Sequence, residues 1–258
     1  NEQEVIDFVN KVVSIDNETE FGPWRQKVTL IADDAARPEP KHGSINTGKS
    51  HTINSEQLSE VIPPSIQVEK IYMMEYPEVS DASAYGVAKP GATDAVFDAL
   101  SSGTAIISYI GHGSPYQLAQ EKLLDLNRGD LNQIVTGKKL PIWIVGTCSF
   151  GHFDDPTTES FSEELIRSPQ NAASAVISTS RPITVVGNER YTLDIFEKIF
   201  DTIINYQKGH FLKTDFDRAD YGSFQGISNQ VYNLQNLILM ISKNLLNYNF
   251  QPSIFNIS

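Results

Sequence analysis

Thr104-Ala-Ile-Ile-Ser-Tyr-Ile110 is nearly all apolar and stops at Gly111-His112-Gly113-Ser114. A short continuous apolar run ended by glycine predicts a strand buried on both faces. Leu140-Pro-Ile-Trp-Ile-Val145 has the same character and stops at Gly146-Thr147-Cys148-Ser149. Outward from this pair, Lys27 to Ala32, Val68 to Met74 and Ala172 to Ser178 read as three further strands. Between them lie helical signals. Val5, Ile6, Val9, Val12 and Val13 recur at helical spacing, and Ser55 reads as the cap of a short helix from Glu56 to Val61. Thr93 caps a helix through Leu100 that Gly103 ends, Ser160 starts one to Arg167, and Arg190 to Ile204 is another. Buried strands alternating with helices predict an α/β fold with a mostly parallel sheet covered on both faces.

The rest of the chain bounds the function. It has 258 residues, 20 Lys and Arg against 32 Asp and Glu, and a net charge of −12. Such an acidic balance argues against nucleic acid, whose phosphates need clustered cations. No apolar run is long enough to span a membrane. The opening NEQEVIDFVN has neither the basic nor the apolar part of a signal peptide, and no initiator Met, so the chain reads as a mature protein or a fragment. The single Cys rules out an internal disulfide.

In open parallel sheets, ligands sit beyond the carboxyl ends of the strands. That edge carries Asp33-Asp34 after the first strand, Glu75 after the second, His112 after the third and Cys148 after the fourth. A thiolate nucleophile needs a base or cation beside it. His112 and Cys148 end two strands that are neighbours in the usual 2-1-3-4-5 order, where adjacent strands lie about 4.8 Å apart. Glycines on both sides let the chain turn sharply at His112, so the Gly113 and Cys148 amides are candidate donors of an oxyanion hole. Glu75, Asp33 and Asp34 are candidates for an acid that orients His112. The strand order favours the Asp pair, and a Cys–His dyad also works without an acid.

Other patterns compete. Gly43-Ser-Ile-Asn-Thr-Gly48-Lys49-Ser50 fits the phosphate-binding loop G-x-x-x-x-G-K-[ST]. Its context is wrong, since Pro38 and Pro40 follow the strand and the helix is expected only near Ser55. Gly146-Thr-Cys148-Ser-Phe-Gly151 misses the nucleophile elbow by one position; in that reading His152 or His210 is the base. The spread of acids has no zinc spacing and no calcium-loop pattern, so no cofactor is required and a structural calcium ion has no motif behind it. Asp154, Asp155 and Glu159 are candidates for recognising a basic substrate residue, and Arg181 for an acidic one.

At these residues the chain resembles the gingipain-like cysteine peptidases. The resemblance is carried by Trp24-Arg-Gln-Lys-Val-Thr-Leu-Ile-Ala-Asp-Asp34, Ile107-Ser-Tyr-Ile-Gly-His-Gly113, Ala119-Gln-Glu121, Leu140-Pro-Ile-Trp-Ile-Val-Gly-Thr-Cys-Ser-Phe150 and Phe153-Asp-Asp-Pro156. Within the family the chain looks most like the peptidase domain of the sortases of bacterial type IX secretion. The resemblance implies a caspase-like three-layer α/β/α sandwich over 1–258, as part of a longer protein. It implies His112 and Cys148 as the dyad, and the Gly113 and Cys148 amides as the oxyanion hole. It implies protein substrates, action at the bacterial surface or outer membrane, type IX secretion components as partners, and removal of C-terminal sorting domains from cargo. The Gly-Asp-Pro element that usually closes the family is absent after Gln225, so 205–258 reads as a divergent part.

Overall fold

The computed structural model describes residues 2–17, 22–34, 49–84, 86–169 and 171–207. The elements in order are α1 (Glu2–Asn17), β1 (Lys27–Ala32), α2 (Lys49–Val61), β2 (Gln67–Tyr72), β3 (Val79–Asp81), β4 (Gly86–Ala88), α3 (Pro90–Ser102), β5 (Ile106–Ile110), β6 (Gln117–Leu118), β7 (Leu124–Asp125), β8 (Ile142–Gly146), α4 (Phe161–Arg167), β9 (Ala175–Ser178) and α5 (Val185–Gln207). Five strands form one parallel sheet in the order β2-β1-β5-β8-β9. Counted among these five, that is the expected 2-1-3-4-5. β5 and β8 are buried throughout, whereas β9 is half-buried along its length, as an edge strand is.

Side chains alternate across the sheet, so residue parity assigns the two faces. Ile31, Ile107, Tyr109, Trp143 and Val145 join one core with Val96 and Leu100 of α3 and Phe161 and Leu165 of α4. The opposite parity includes Leu30, Ile106, Ile110, Ile142 and Ile144, all buried. α2 packs on β1 and β5, and Asn188 of α5 reaches the Gly146 carbonyl at 2.6 Å. Helices thus cover a central sheet on both sides.

The helices differ from expectation at their ends. α2 starts at Lys49 rather than beyond Ser55, and Ser55 is buried inside it. Its first two turns, Lys-Ser-His-Thr-Ile-Asn, are too polar to show a helical period. α3 starts at Pro90, three residues before the expected Thr93 cap, because proline fits the first helical position. α4 starts where expected, and the Glu163 carboxylate accepts the Ser160 amide at 2.7 Å. α1 forms, but Val5, Ile6, Val9 and Val13 are exposed rather than packed. Its buried contact is Lys11, whose ammonium donates to the carbonyls of Ile166 (2.6 Å) and Ser168 (2.8 Å) at the end of α4.

The chain divides into two compact units, Asn1–Leu193 and Asp194–Ser258. In the second, the described part is the end of α5, where the Phe196 and Phe200 rings lie 5.8 Å apart. The loop bearing Pro38, Pro40 and Gly43, most of the G-x-x-x-x-G-K-[ST] pattern, His210 and nearly all of 205–258 lie outside the described residues.

Candidate active site

Register brings His112 and Cys148 to corresponding places. Ile110 pairs with Gly146 at the ends of β5 and β8, and the Gly111 amide donates to the Gly146 carbonyl at 3.2 Å. His112 and Cys148 are each two residues further on.

Hydrogen bonds fix the peptide planes on either side. The His112 carbonyl accepts the Tyr109 hydroxyl at 2.6 Å and the Ala119 amide at 2.9 Å. The Thr147 carbonyl accepts the Thr179 hydroxyl. In a trans peptide, C=O and N–H point opposite ways. The Gly113 and Cys148 N–H groups therefore point away from those acceptors, and both stay out of the backbone pairing around them. Close approach requires glycine here: a Cβ on Gly113 would lie 2.6 Å from the Thr147 hydroxyl, and one on Gly111 would strike the Asp33 side chain. Ser149, directly after the Cys, holds a left-handed φ of 53°, which costs a non-glycine residue about 1 kcal/mol. Its amide donates to the Arg181 carbonyl at 3.3 Å, which keeps the turn closed.

The thiol is not hydrogen-bonded to the imidazole. Cys148 Sγ donates to the Ile183 carbonyl at 3.6 Å, and His112 Nε2 is buried without a partner among the described residues. Burial lowers the pKa of His112, with the Asp34 charge opposing. A neutral imidazole of this kind can accept a proton. Catalytic pairs are commonly loose before substrate binds.

A second histidine, not foreseen in the sequence, faces the first. His51, in the first turn of α2, is 3% exposed, and neither ring nitrogen has a hydrogen-bond partner among the described residues. Its ring meets that of His112 edge-on, 5.3 Å between centroids and 86° between planes. Burial, then the His112 charge, brings its pKa down to about 4. One ligand atom each from His51, His112 and Asp33 lie within 4.8 Å of one another. The available signal was its position at the start of the helix that follows β1, but the late expected start of α2 hid it.

The acids separate by strand. Asp33 Oδ2 accepts the His112 amide at 2.8 Å, and Oδ1 accepts the Asp34 amide at 2.9 Å. Burial, reinforced by the charges of Glu121 and Asp34, raises Asp33 to about 8. Asp34 is paired with buried Lys89, which also donates to the Met73 carbonyl at 2.8 Å. Glu75 is not brought to His112. It is exposed after β2, with β1 between it and β5, and its charge acts on Tyr72 and Tyr76. Asp33, Asp34 and Glu121 also cluster within 4.8 Å. Calcium takes roughly six to eight oxygens, and here Lys89 already holds one of the three carboxylates.

Beyond Cys148 the charges are paired. Asp154 forms a two-pronged pair with Arg181, Asp155 accepts the Thr157 amide (2.9 Å) and the Thr158 hydroxyl (2.8 Å), and Glu159 pairs with Arg167. His152 lies 4.0 Å from Asp154 and 3.9 Å from Asp155. A cleft of about 290 Å³ lies beside this loop, lined by Gly151, Phe153, Ile166 and Val176 among others.

Comparison with known proteins gives the family. The model of peptidase family C25 matches residues 1–238. The crystal structure of the Arg-specific cysteine proteinase gingipain R matches with a TM-score of 0.56 at 15% identity, over 77% of this chain and 42% of that one. The complex of Porphyromonas gingivalis RgpB pro- and mature domains matches with a TM-score of 0.53 at 15% identity, over 92% of this chain and 50% of that one. The chain thus spans half or less of the length of these structures, and the likeness to them is one of fold: the mostly parallel sheet with flanking helices. No curated protein matches.

Proposed function

This chain belongs to peptidase family C25, and we propose that it cleaves peptide bonds in protein substrates through Cys148 and His112. The observation that carries the reading is the register of β5 and β8, whose last pair, Ile110 and Gly146, lies two residues before His112 and Cys148 respectively. Cys148 attacks the scissile carbonyl after rotating away from the Ile183 carbonyl. His112 takes the thiol proton and later delivers it to the leaving amine. The Gly113 and Cys148 amides, unused in the backbone pairing, receive the oxyanion. Water then hydrolyses the thioester.

The finer reading is a sortase-like one. An amine in place of water would intercept the thioester, and the substrate would be the C-terminal sorting domain of secreted cargo at a bacterial outer membrane. The resemblance of the quoted motifs supports it. No helix among the described residues is long and apolar enough to cross a membrane. A basic primary pocket gains no support from Asp154, Asp155 or Glu159, because Asp154 and Glu159 are exposed, Asp155 is half-buried, and all three are already engaged.

Replacing Cys148 with Ala tests the reading. Turnover of a peptide library should fall on the order of 10³-fold or more, with an unchanged melting temperature, and a thiol alkylator should label Cys148 and inactivate the wild type. Full activity in the variant would end the proposal. The bond between the thiol and the Ile183 carbonyl favours a second reading, a binding module on a peptidase fold. Substrate binding without turnover or a trapped thioester would select it.

A further inference from the structure

We propose that His51, His112 and Asp33 form a site for a divalent cation of the zinc class, and that the ion switches the enzyme off by withdrawing His112 from Cys148. The switching half of this rests on the dyad reading above; the cation site does not.

Three buried ring nitrogens lack partners among the described residues: both of His51 and Nε2 of His112. Buried polar atoms in native proteins are nearly always satisfied by protein, water or an ion. His51 is 3% exposed and belongs to the α2 face that covers β5, so its ring has little access to bulk water. Two imidazoles and a carboxylate are a ligand set that suits zinc, with the fourth position left to water. The three ligand atoms lie within 4.8 Å of one another. Zinc–nitrogen bonds of about 2.0–2.1 Å put tetrahedral ligand atoms about 3.3 Å apart. Small rotations of the two rings and the carboxylate close that gap.

The surrounding contacts set the expected strength. Asp33 is well supported, since its two oxygens are held by the His112 and Asp34 amides and retain lone pairs for a metal. His51 has no acceptor for its second ring nitrogen. A missing outer-shell partner of that kind costs about 10–100-fold in affinity. A reversible site of micromolar strength follows, rather than a permanently filled structural one. Cys148 is outside the ligand set, so the ion acts on the base and not on the nucleophile.

The test is calorimetric titration of the chelator-treated chain with zinc chloride, on wild type, Cys148→Ala, His51→Gln and His112→Ala, each checked for native folding by circular dichroism. We expect one ion per chain at micromolar Kd, retention of binding in Cys148→Ala, and at least tenfold weaker binding in His51→Gln and His112→Ala. Cobalt in place of zinc should show tetrahedral visible bands without a thiolate charge-transfer band. No binding by the wild type at 100-fold above the expected Kd (roughly 0.1–1 mM), or equal binding by folded His51→Gln, overturns the site. Loss of binding in Cys148→Ala overturns it too, because the ion would then be on the thiolate. Peptide cleavage by the wild type should fall with zinc over the same concentration range and return with chelator; binding without inhibition of an active enzyme overturns the switch. Zinc binding by a chain that cleaves no peptide would break the peptidase reading and leave the cation site standing.

Discussion

The two flanks of Cys148 are built on opposite electrostatic principles. On the His112 side, Asp33, His51 and Lys89 are nearly fully buried, and three imidazole nitrogens have no partner among the described residues. On the other side, Asp154, Asp155, Glu159, Arg167 and Arg181 are near the surface, and each has a partner. Buried, incompletely satisfied polar groups oppose folding, and a stable protein keeps them where function needs them. Exposed pairs contribute little and carry no such signal. On the proposed reading, the contrast assigns the chemistry to the β1–β5 side of Cys148 and a scaffold to the other.

The largest effect expected on stability comes from breaking the buried pair. Lys89→Met keeps most of the volume but strips Asp34 of its cation in a cluster that already holds Asp33 and Glu121. Breaking such a pair from one side costs roughly 3–5 kcal/mol. Urea denaturation should show a loss of that order. A loss below about 1 kcal/mol would mean that this cluster behaves like a surface, and the contrast between the flanks would fail.

A middle-sized effect sharpens the contrast from the scaffold side. Lys11 is 3% exposed yet has two carbonyl acceptors at the end of α4. Burial lowers its pKa from 10.5 to about 8. Between those values the unfolded chain binds the proton and the folded chain does not, so stability rises with pH across that window. Below pH 8 both states are protonated and the burial cost is present in full. Comparing unfolding midpoints of wild type and Lys11→Met from pH 7.5 to 10.5 isolates this from other titrations. The wild type should gain relative to the variant as pH rises; a parallel pair of curves would show that Lys11 is solvated.

The fold was legible because it depends on long apolar runs. Burying β5 and β8 on both faces needs no particular neighbour, so the apolar runs marked the strands, and the usual order of a parallel α/β sheet then matched the one observed. The placement of the candidate residues was legible only where that order decides it. His112 and Cys148 lie beyond the ends of adjacent strands, and Asp33 lies beside the His112 amide while Glu75 is one strand further out. His51 was not legible. It belongs to a helix whose first turns are polar, so no hydrophobic period announces it, and its meeting with His112 depends on how α2 lies over the sheet. The exposed face of α1 shows the same limit: a period of apolar residues predicts a helix, which forms, but does not say that anything covers it.

The smallest expected effect is at Arg181, and it is the most informative about where the scaffold ends. Its guanidinium grips Asp154 with both prongs, but the two side chains are exposed and salt screens such pairs. Arg181→Gln removes the charge and leaves the backbone carbonyl that accepts the Ser149 amide. The turn after Cys148 should therefore keep its shape. The unfolding midpoint should stay within measurement error of wild type, in low and high salt alike. kcat on peptides should also be unchanged, since no proton or oxyanion passes through the side chain. A raised KM with unchanged kcat and unchanged stability would be the instructive failure. It would mean that substrate competes with Asp154 for the guanidinium, and that the paired flank is a binding surface held closed by its own ion pair.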